Sequence, residues 1–87
     1  MNIKFPNQLG IQVVSDVKAE LESAIAADGA IVLDASEVES VDAAALQLLV
    51  AFVQHAALKK REFEWFEPTD VFLETVDLMG LKAAMNV

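Results

Sequence analysis

Residues 41–53 are the part of the sequence that most constrains the fold. They contain an aspartate, Asp42, followed by three alanines and an almost wholly apolar run. An aspartate in this place can accept a backbone N–H, and its charge meets the positive end of the helix dipole. The run is well short of the ~20 residues that a membrane span requires. We therefore predict a helix that starts at Asp42, ends near Leu58 and is closed by the cations of residues 59–61.

The rest of the chain alternates short strands with amphipathic helices. Apolar runs and 3.6-residue periodicity predict strands at 3–5, 30–34 and 63–66 and helices at 15–28 and 69–79. Ser15 and Thr69 are placed to cap these two helices, and Gly80 can supply a left-handed stop. The continuous apolar run at 30–34 indicates a central strand covered on both faces. The order predicts an α/β fold in a single domain, residues 1–87, with parallel strand pairs and right-handed crossovers.

Composition and charge argue against several classes of function. Fourteen acidic and six basic residues give a net charge of −8, which repels phosphate backbones and anionic lipid surfaces. Neither nucleic-acid binding nor direct membrane insertion is therefore expected; the charge favours a basic partner or serves solubility alone. The chain has no cysteine, so thiolate catalysis, thiolate metal sites and disulfides are excluded. Its first residues lack the apolar core of a signal peptide, and a cytoplasmic location is expected.

The predicted central helix has two unlike faces at about 100° per residue. The face expected to pack on the sheet carries Leu46, Leu49, Val50, Val53 and Ala57. The opposite face carries Ala43, Ala44, Gln47, Ala51, Gln54, His55 and Leu58. An exposed helix face without charge is typical of the centre of an interface, because another backbone can approach it without desolvating ions. The alternative interpretation is that the alanines only reflect their high helix propensity.

Two segments resemble the signature of the STAS family, the domain shared by sulfate transporters and anti-sigma-factor antagonists. They are residues 33–36, Leu-Asp-Ala-Ser, and residues 41–49, Val-Asp-Ala-Ala-Ala-Leu-Gln-Leu-Leu. In that family a strand ending in Leu-Asp leads through a short loop to Asp-Ser-Ser/Ala-Gly-Leu at a helix start. Residues 66–81 resemble the closing strand and helix of the family. The resemblance implies a small mixed sheet with helices mainly on one face, and an activity of binding rather than catalysis.

The resemblance also draws attention to Ala43. In anti-sigma-factor antagonists the serine directly after the aspartate is phosphorylated by a partner kinase, which breaks the complex. The matching residue here is Ala43, and Ala44 and Ala45 occupy the next two positions. Alanine has no oxygen to accept phosphate, so Ala43 is a phosphoacceptor-equivalent position that cannot be phosphorylated. Ser36 and Ser40, in the loop before the helix, remain alternative acceptors.

Other residue patterns give little support to catalysis. His55 is the only histidine and has no second histidine or cysteine with it, so neither a metal site nor a catalytic triad is expected. Asp34 and Asp42 could pair for acid–base chemistry; their simpler roles are a turn contact at a strand end and a helix cap. Trp65 is expected in the core rather than as a base-stacking platform. No glycine-rich phosphate loop is present, and no cofactor is expected.

These observations predict a non-enzymatic regulatory module that docks a protein partner. The residues expected to bind it are Ser36, Ser40, Asp42, Ala43, Ala44, Gln47, Ala51 and Gln54. The resemblance implies that the partner is an anti-sigma-factor-type kinase, in signal transduction and transcription regulation, or a chemotaxis component. The alternative is a small cytoplasmic STAS subunit that binds the ATPase of a bacterial lipid-transport ABC system. Homodimerisation through the same surface also remains open, and an enzyme is the weakest hypothesis.

Overall fold

The fold is built around two small parallel sheets. A computed structural model describes all residues, 1–87. The strands are β1 (Asn2–Lys4), β2 (Gln8–Leu9), β3 (Ile31–Asp34), β4 (Ser40–Val41) and β5 (Phe63–Phe66). The helices are α1 (Val14–Ala26), α2 (Ala43–Leu58), α3 (Asp70–Leu78) and α4 (Lys82–Met85), with a 3₁₀ segment at Ile11–Val13. The main sheet has the order β1-β3-β5, and β2 pairs with β4 in a separate ribbon.

Helices cover one face of the main sheet. Ile3 and Leu33 are partners in the β1–β3 pair and both are buried under the helices. At the next level, Asn2, Val32 and Glu64 lie side by side on the opposite face. Asn2 and Glu64 are exposed and Val32 is half-buried. The apolar side of the sheet therefore faces the helices, and its other side is left open.

The predicted α/β fold is confirmed, together with the central position of β3 and the gathering of the helices on one face. The prediction that β3 is covered on both faces is wrong, because no helix packs over Val32 and its neighbours. The sheets also contain parallel pairs only, where the resemblance implied a mixed sheet. The reason is that each connection between neighbouring strands of the main sheet includes a helix, and such a crossover returns the chain in the same direction.

Of the three end signals predicted for α1 and α3, Thr69 and Gly80 are confirmed and Ser15 is not. Thr69 caps α3 as predicted, since its hydroxyl oxygen accepts the Phe72 N–H at 3.1 Å. Gly80 has a φ of +69° and lets the Leu81 N–H donate to the Val76 carbonyl of α3 at 3.0 Å, which ends this helix as expected. Ser15 does not cap α1. The chain enters α1 directly from the 3₁₀ segment, so the helix begins at Val14 without a side-chain cap.

The core is a single cluster of 19 buried hydrophobic residues. Trp65 packs against it, with its ring centroid 5.3 Å from that of Phe72 and 6.4 Å from that of Phe5. The Trp65 indole N–H donates to the Met85 carbonyl at 3.0 Å, which holds α4 over the end of the sheet. The prediction that Trp65 belongs to the core is confirmed in part, because its ring packs against the core but stays half-buried. No helix is both long enough and apolar enough to cross a bilayer.

Arg61 closes α1 rather than α2, the helix that it follows in sequence. Its guanidinium donates to the carbonyls of Ala24 at 3.2 Å, Ile25 at 2.7 Å and Gly29 at 2.6 Å, and also to the Ala27 carbonyl. The last carbonyls of a helix have no partner within it, and a cation there also complements the helix dipole. A single side chain therefore ties the end of α1 to the start of β5.

We expect Arg61→Lys to destabilise the fold although it keeps the charge. A lysine ammonium cannot span several carbonyls as the planar guanidinium does. Since hydrogen bonds to charged groups contribute about 1.5–3 kcal/mol, we expect a loss of about 2 kcal/mol in the free energy of unfolding. Urea denaturation measures it. Lys59→Arg, a swap of the same two side chains at an exposed site, is the control. Equal unfolding free energies for the two variants would contradict the assignment.

Candidate docking surface

Asp42 joins the start of α2 to the segment before α1. One carboxylate oxygen, Oδ1, accepts the Ala45 N–H at 3.0 Å and caps the helix. The other, Oδ2, accepts the Ile11 N–H at 2.9 Å from a residue 31 positions earlier. The predicted cap is confirmed, and the second bond was missed because nothing in the local sequence indicates a partner so far away. Asp42 thus fixes where α2 begins relative to the 3₁₀ segment.

Gly10 makes this contact possible. A Cβ at this position would lie 2.9 Å from Asp42 Oδ2 and 3.0 Å from Gln12 Oε1. The Gln12 amide can move, but the Asp42 carboxylate is held by its two backbone donors. The backbone φ of Gly10 is −143°, which any residue can adopt. Space beside Asp42, rather than conformational freedom, therefore requires glycine here.

Asp34 and Ser36 form a closed turn at the end of β3. Asp34 Oδ1 accepts both the Ser36 hydroxyl at 2.6 Å and the Ser36 N–H at 2.9 Å. These two donors, with the hydroxyl contributing most, lower the pKa of the Asp34 carboxyl. The predicted turn contact is confirmed, and the Ser36 hydroxyl is already used within the chain. The nearby ion pair of Lys4 and Glu37 is half-exposed on both sides and contributes little to stability.

The buried side of α2 is rotated from the predicted one. The buried residues of the helix are Ala45, Leu46, Leu49, Phe52, Val53 and Ala56. Leu46, Leu49 and Val53 agree with the prediction, whereas Ala57 is exposed and Val50 is only half-buried. The rotation has a physical cause: α2 packs against α1 as well as against the sheet, and its Phe52 ring meets Phe63 edge-on at 5.4 Å. The prediction assumed that only the sheet covers α2, whereas in the fold both the sheet and α1 cover it.

The exposed side of α2 carries no charged residue. We call it the outer face of α2, and it consists of Ala43, Gln47, Ala51, Gln54, His55, Ala57 and Leu58. Among the other predicted binding residues, Ser40 and Asp42 are exposed, and Ala44 and Ser36 are half-buried. Every predicted binding residue is therefore at least partly accessible.

A groove of about 300 Å³ runs beside the outer face of α2. It is lined by Ala43, Leu46, Gln47, Val50, Ala51, Gln54, Met79 and Leu81. Four of the predicted residues share this groove, whereas Ser36 lines a separate polar hollow with Asn7 and Glu39. Sequence reasoning missed Met79 and Leu81 as groove residues; the Met79 side chain is 52% exposed.

A second groove of about 230 Å³ lies on the other side of α2, between this helix and α1. Its apolar lining includes Leu21, Ile25 and Leu48, and Lys18 and Glu22 stand on its α1 rim. Ala51 lines both grooves. The outer face of α2 is therefore a low ridge between two apolar grooves, and Ala51 is the point where both meet.

Asp42 also predicts a pH dependence. The N–H groups of Ala45 and Ile11 lower its pKa in the folded state. A lowered folded pKa stabilises the fold above the unfolded value of about 3.9 and loses this effect as the pH falls below it. We expect Asp42→Asn to lower the midpoint of thermal unfolding at neutral pH, because an amide has one acceptor oxygen instead of two. The difference in midpoint between the wild type and this variant should shrink between about pH 4 and pH 3, because protonation of Asp42 then weakens the same hydrogen bonds in the wild type. We call this difference the deficit.

Circular dichroism melts of both proteins across this pH range measure the deficit. Asp28→Asn removes an exposed carboxylate that accepts no hydrogen bond, and controls for the change in net charge. A deficit for Asp42→Asn that stays constant down to about pH 3 would count against the two-donor account.

Comparison with known proteins agrees with the geometry. A family model described as "Mlab, STAS domain" matches residues 4–86, which include all of α2 and every strand except the first two residues of β1. No curated protein matches the chain. The match extends over nearly the whole sequence, well beyond the two segments that carry the resemblance. The chain belongs to the STAS domain family.

Proposed function

We propose that this protein is a non-enzymatic regulatory module that docks a protein partner through the outer face of α2 and the two grooves beside it. The observation that carries the proposal is the absence of charge from this face in a chain of net charge −8. Membership of the STAS family is consistent with a regulatory interaction module. We further propose that the protein acts in the cytoplasm and needs no cofactor.

The placement of the acidic residues supports an interface at α2. The exposed acids of α1 are Asp16, Glu20 and Glu22, and those of α3 are Asp70, Glu74 and Asp77. The outer face of α2 has no acidic residue, although it is as exposed to solvent as the outer sides of α1 and α3. Covering the alanines, the two glutamines, His55 and Leu58 of this face desolvates no carboxylate, ammonium or guanidinium group, whereas covering the outer side of α1 or α3 would desolvate several carboxylates. The outer face of α2 is therefore the surface that a partner can cover at least cost.

A binding role is also supported by the two carboxylates that were candidates for acid–base chemistry. Each Asp42 carboxylate oxygen accepts a backbone N–H, and Asp34 accepts the two hydrogen bonds that form the turn with Ser36. Both pKa values are lowered, which keeps the groups ionised at neutral pH. A carboxylate with a lowered pKa is a poor proton donor and a weak base. These residues shape the docking surface and do not resemble a catalytic pair.

Two classes of partner fit this surface. The first is an anti-sigma-factor-type kinase or a chemotaxis component, as in the signalling members of the family. The second is the ATPase of a lipid-transport ABC system. Ala43 favours the second class: it is exposed in the first turn of α2, where signalling members carry the phosphorylated serine, and it has no hydroxyl. The Ser36 hydroxyl donates to Asp34, so Ser40 has the remaining exposed hydroxyl between β3 and α2. A docking surface without its switch suits a permanently bound subunit.

Ala51→Arg tests the docking surface. Arginine at this point would put a long charged side chain at the junction of the two grooves, and we expect the affinity for the partner to fall by about tenfold or more. Ala51 is exposed, so the midpoint of thermal unfolding should change by no more than about 2 °C. The partner is captured on the tagged wild-type chain, identified by mass spectrometry and purified, and its affinity for each variant is measured by calorimetry.

Ala19→Arg is the matched control, because it makes the same change on the exposed side of α1 and should leave binding intact. Unchanged affinity for Ala51→Arg, or equal losses for both variants, would refute the assignment of the surface. The identity of the captured protein, an ATPase or a kinase, decides between the two partner classes.

A further inference from the structure

α3 carries an exposed apolar stripe that the core does not use. Leu78 is 87% exposed, the highest value among the large hydrophobic residues, and Val71 is 45% exposed. Val71, Thr75 and Leu78 follow the i, i+4, i+7 spacing that puts residues on one side of a helix. The Thr75 hydroxyl donates to the Val71 carbonyl at 2.8 Å, so it is satisfied within the helix. This side of α3 therefore offers apolar surface and almost no hydrogen-bonding capacity.

The end of α3 connects the stripe to the uncharged surface of α2 through Met79. Met79 directly follows Leu78 and lines the groove beside α2 together with Ala51 and Gln54. Leu81, after the glycine stop of α3, completes the floor of this groove. α2 and the end of α3 thus contribute to the lining of one open groove. A partner that covers Ala51 also lies beside Met79.

We propose that the partner covers α3 as well as α2, and that the element seated in the groove between them is an amphipathic helix with an apolar stripe flanked by lysine and arginine. This proposal rests on the proposed function and adds the chemistry of the partner. A helix fits because alanines at 43 and 51 allow a close approach of a second backbone. Docking of an apolar helix face into a groove between helices is a recurrent mode of recognition.

The charges around the groove determine which flanks the partner helix needs. α3 contains three acidic residues, Asp70, Glu74 and Asp77, and no basic one. Glu74 stands one turn before Leu78 on the exposed side of this helix. Glu22 stands on the rim of the groove beyond α2 together with Lys18, so the charges of that rim offset each other. The acids of α3 therefore set the preference: a basic helix would meet them along one flank of its apolar stripe, whereas a second copy of this chain would bring acidic α3 rims together.

Two synthetic peptides of about 20 residues test the proposal, a length at which designed helices form in water. Both have the same Leu/Ala stripe, one with lysine flanks and the other with glutamate flanks. Fluorescence anisotropy should show binding of the lysine peptide, weakening by about tenfold between roughly 50 and 300 mM salt, and much weaker binding of the glutamate peptide. Leu78→Gln should weaken binding of the lysine peptide about tenfold without loss of folded structure in circular dichroism.

Phe66→Gln is the control, because Phe66 is 47% exposed on the face of the sheet that the helices leave open. It should leave binding unchanged.

Loss of binding in Ala51→Arg with no effect of Leu78→Gln would overturn the role of α3 and leave the proposed function standing; no effect of either would overturn both. Equal affinity for the two peptides would overturn the basic partner, as would absence of binding by the lysine peptide. Sedimentation of the free protein as a dimer that Leu78→Gln dissociates would assign the stripe to a second copy.

Discussion

The Asp42 carboxylate is the contact on which the arrangement of the docking surface depends. It accepts one N–H from the first turn of α2 and another from the 3₁₀ segment that leads into α1. The β2–β4 ribbon, paired immediately before each of these segments, holds the two approaches parallel. The direction of α2 is therefore set at its first residue. Everything that gives the surface its shape follows from this: the ridge at Ala51 and the grooves on its two sides.

The distribution of charge separates solubility from recognition. Acidic residues cover the outer sides of α1 and α3, while the outer face of α2 carries no acidic, lysine or arginine residue. Folding does not require this separation, since α2 could carry glutamates on its exposed side and still bury Leu49 and Phe52. Ala43 has the same character, since it exposes a methyl group in the first turn of α2 and has no hydroxyl. Both features support the proposal of a surface that remains covered once it is bound.

The features that the sequence predicted correctly are those that residues close together in the chain determine. The α/β order, the central β3, the Thr69 and Asp42 caps and the uncharged face of α2 all depend on residues within a few positions of one another. The features that were missed depend on distant ones. Arg61 reaches carbonyls more than 30 positions earlier, the second partner of Asp42 is as far away, and the burial of Phe52 and Ala56 needs α1 beside α2. Met79 and Leu81 became groove residues because the stop at Gly80 turns the chain back toward α2.

The most direct test of docking through the outer face of α2 is a methyl NMR titration of alanine-labelled protein with its purified partner. Ala43 and Ala51 report on this face, and Ala19 and Ala26 report on the exposed side of α1. The account predicts that the methyl signals of Ala43 and Ala51 shift or broaden as the partner is added, while those of Ala19 and Ala26 stay in place. Movement of the α1 signals with unchanged signals from Ala43 and Ala51 would contradict it.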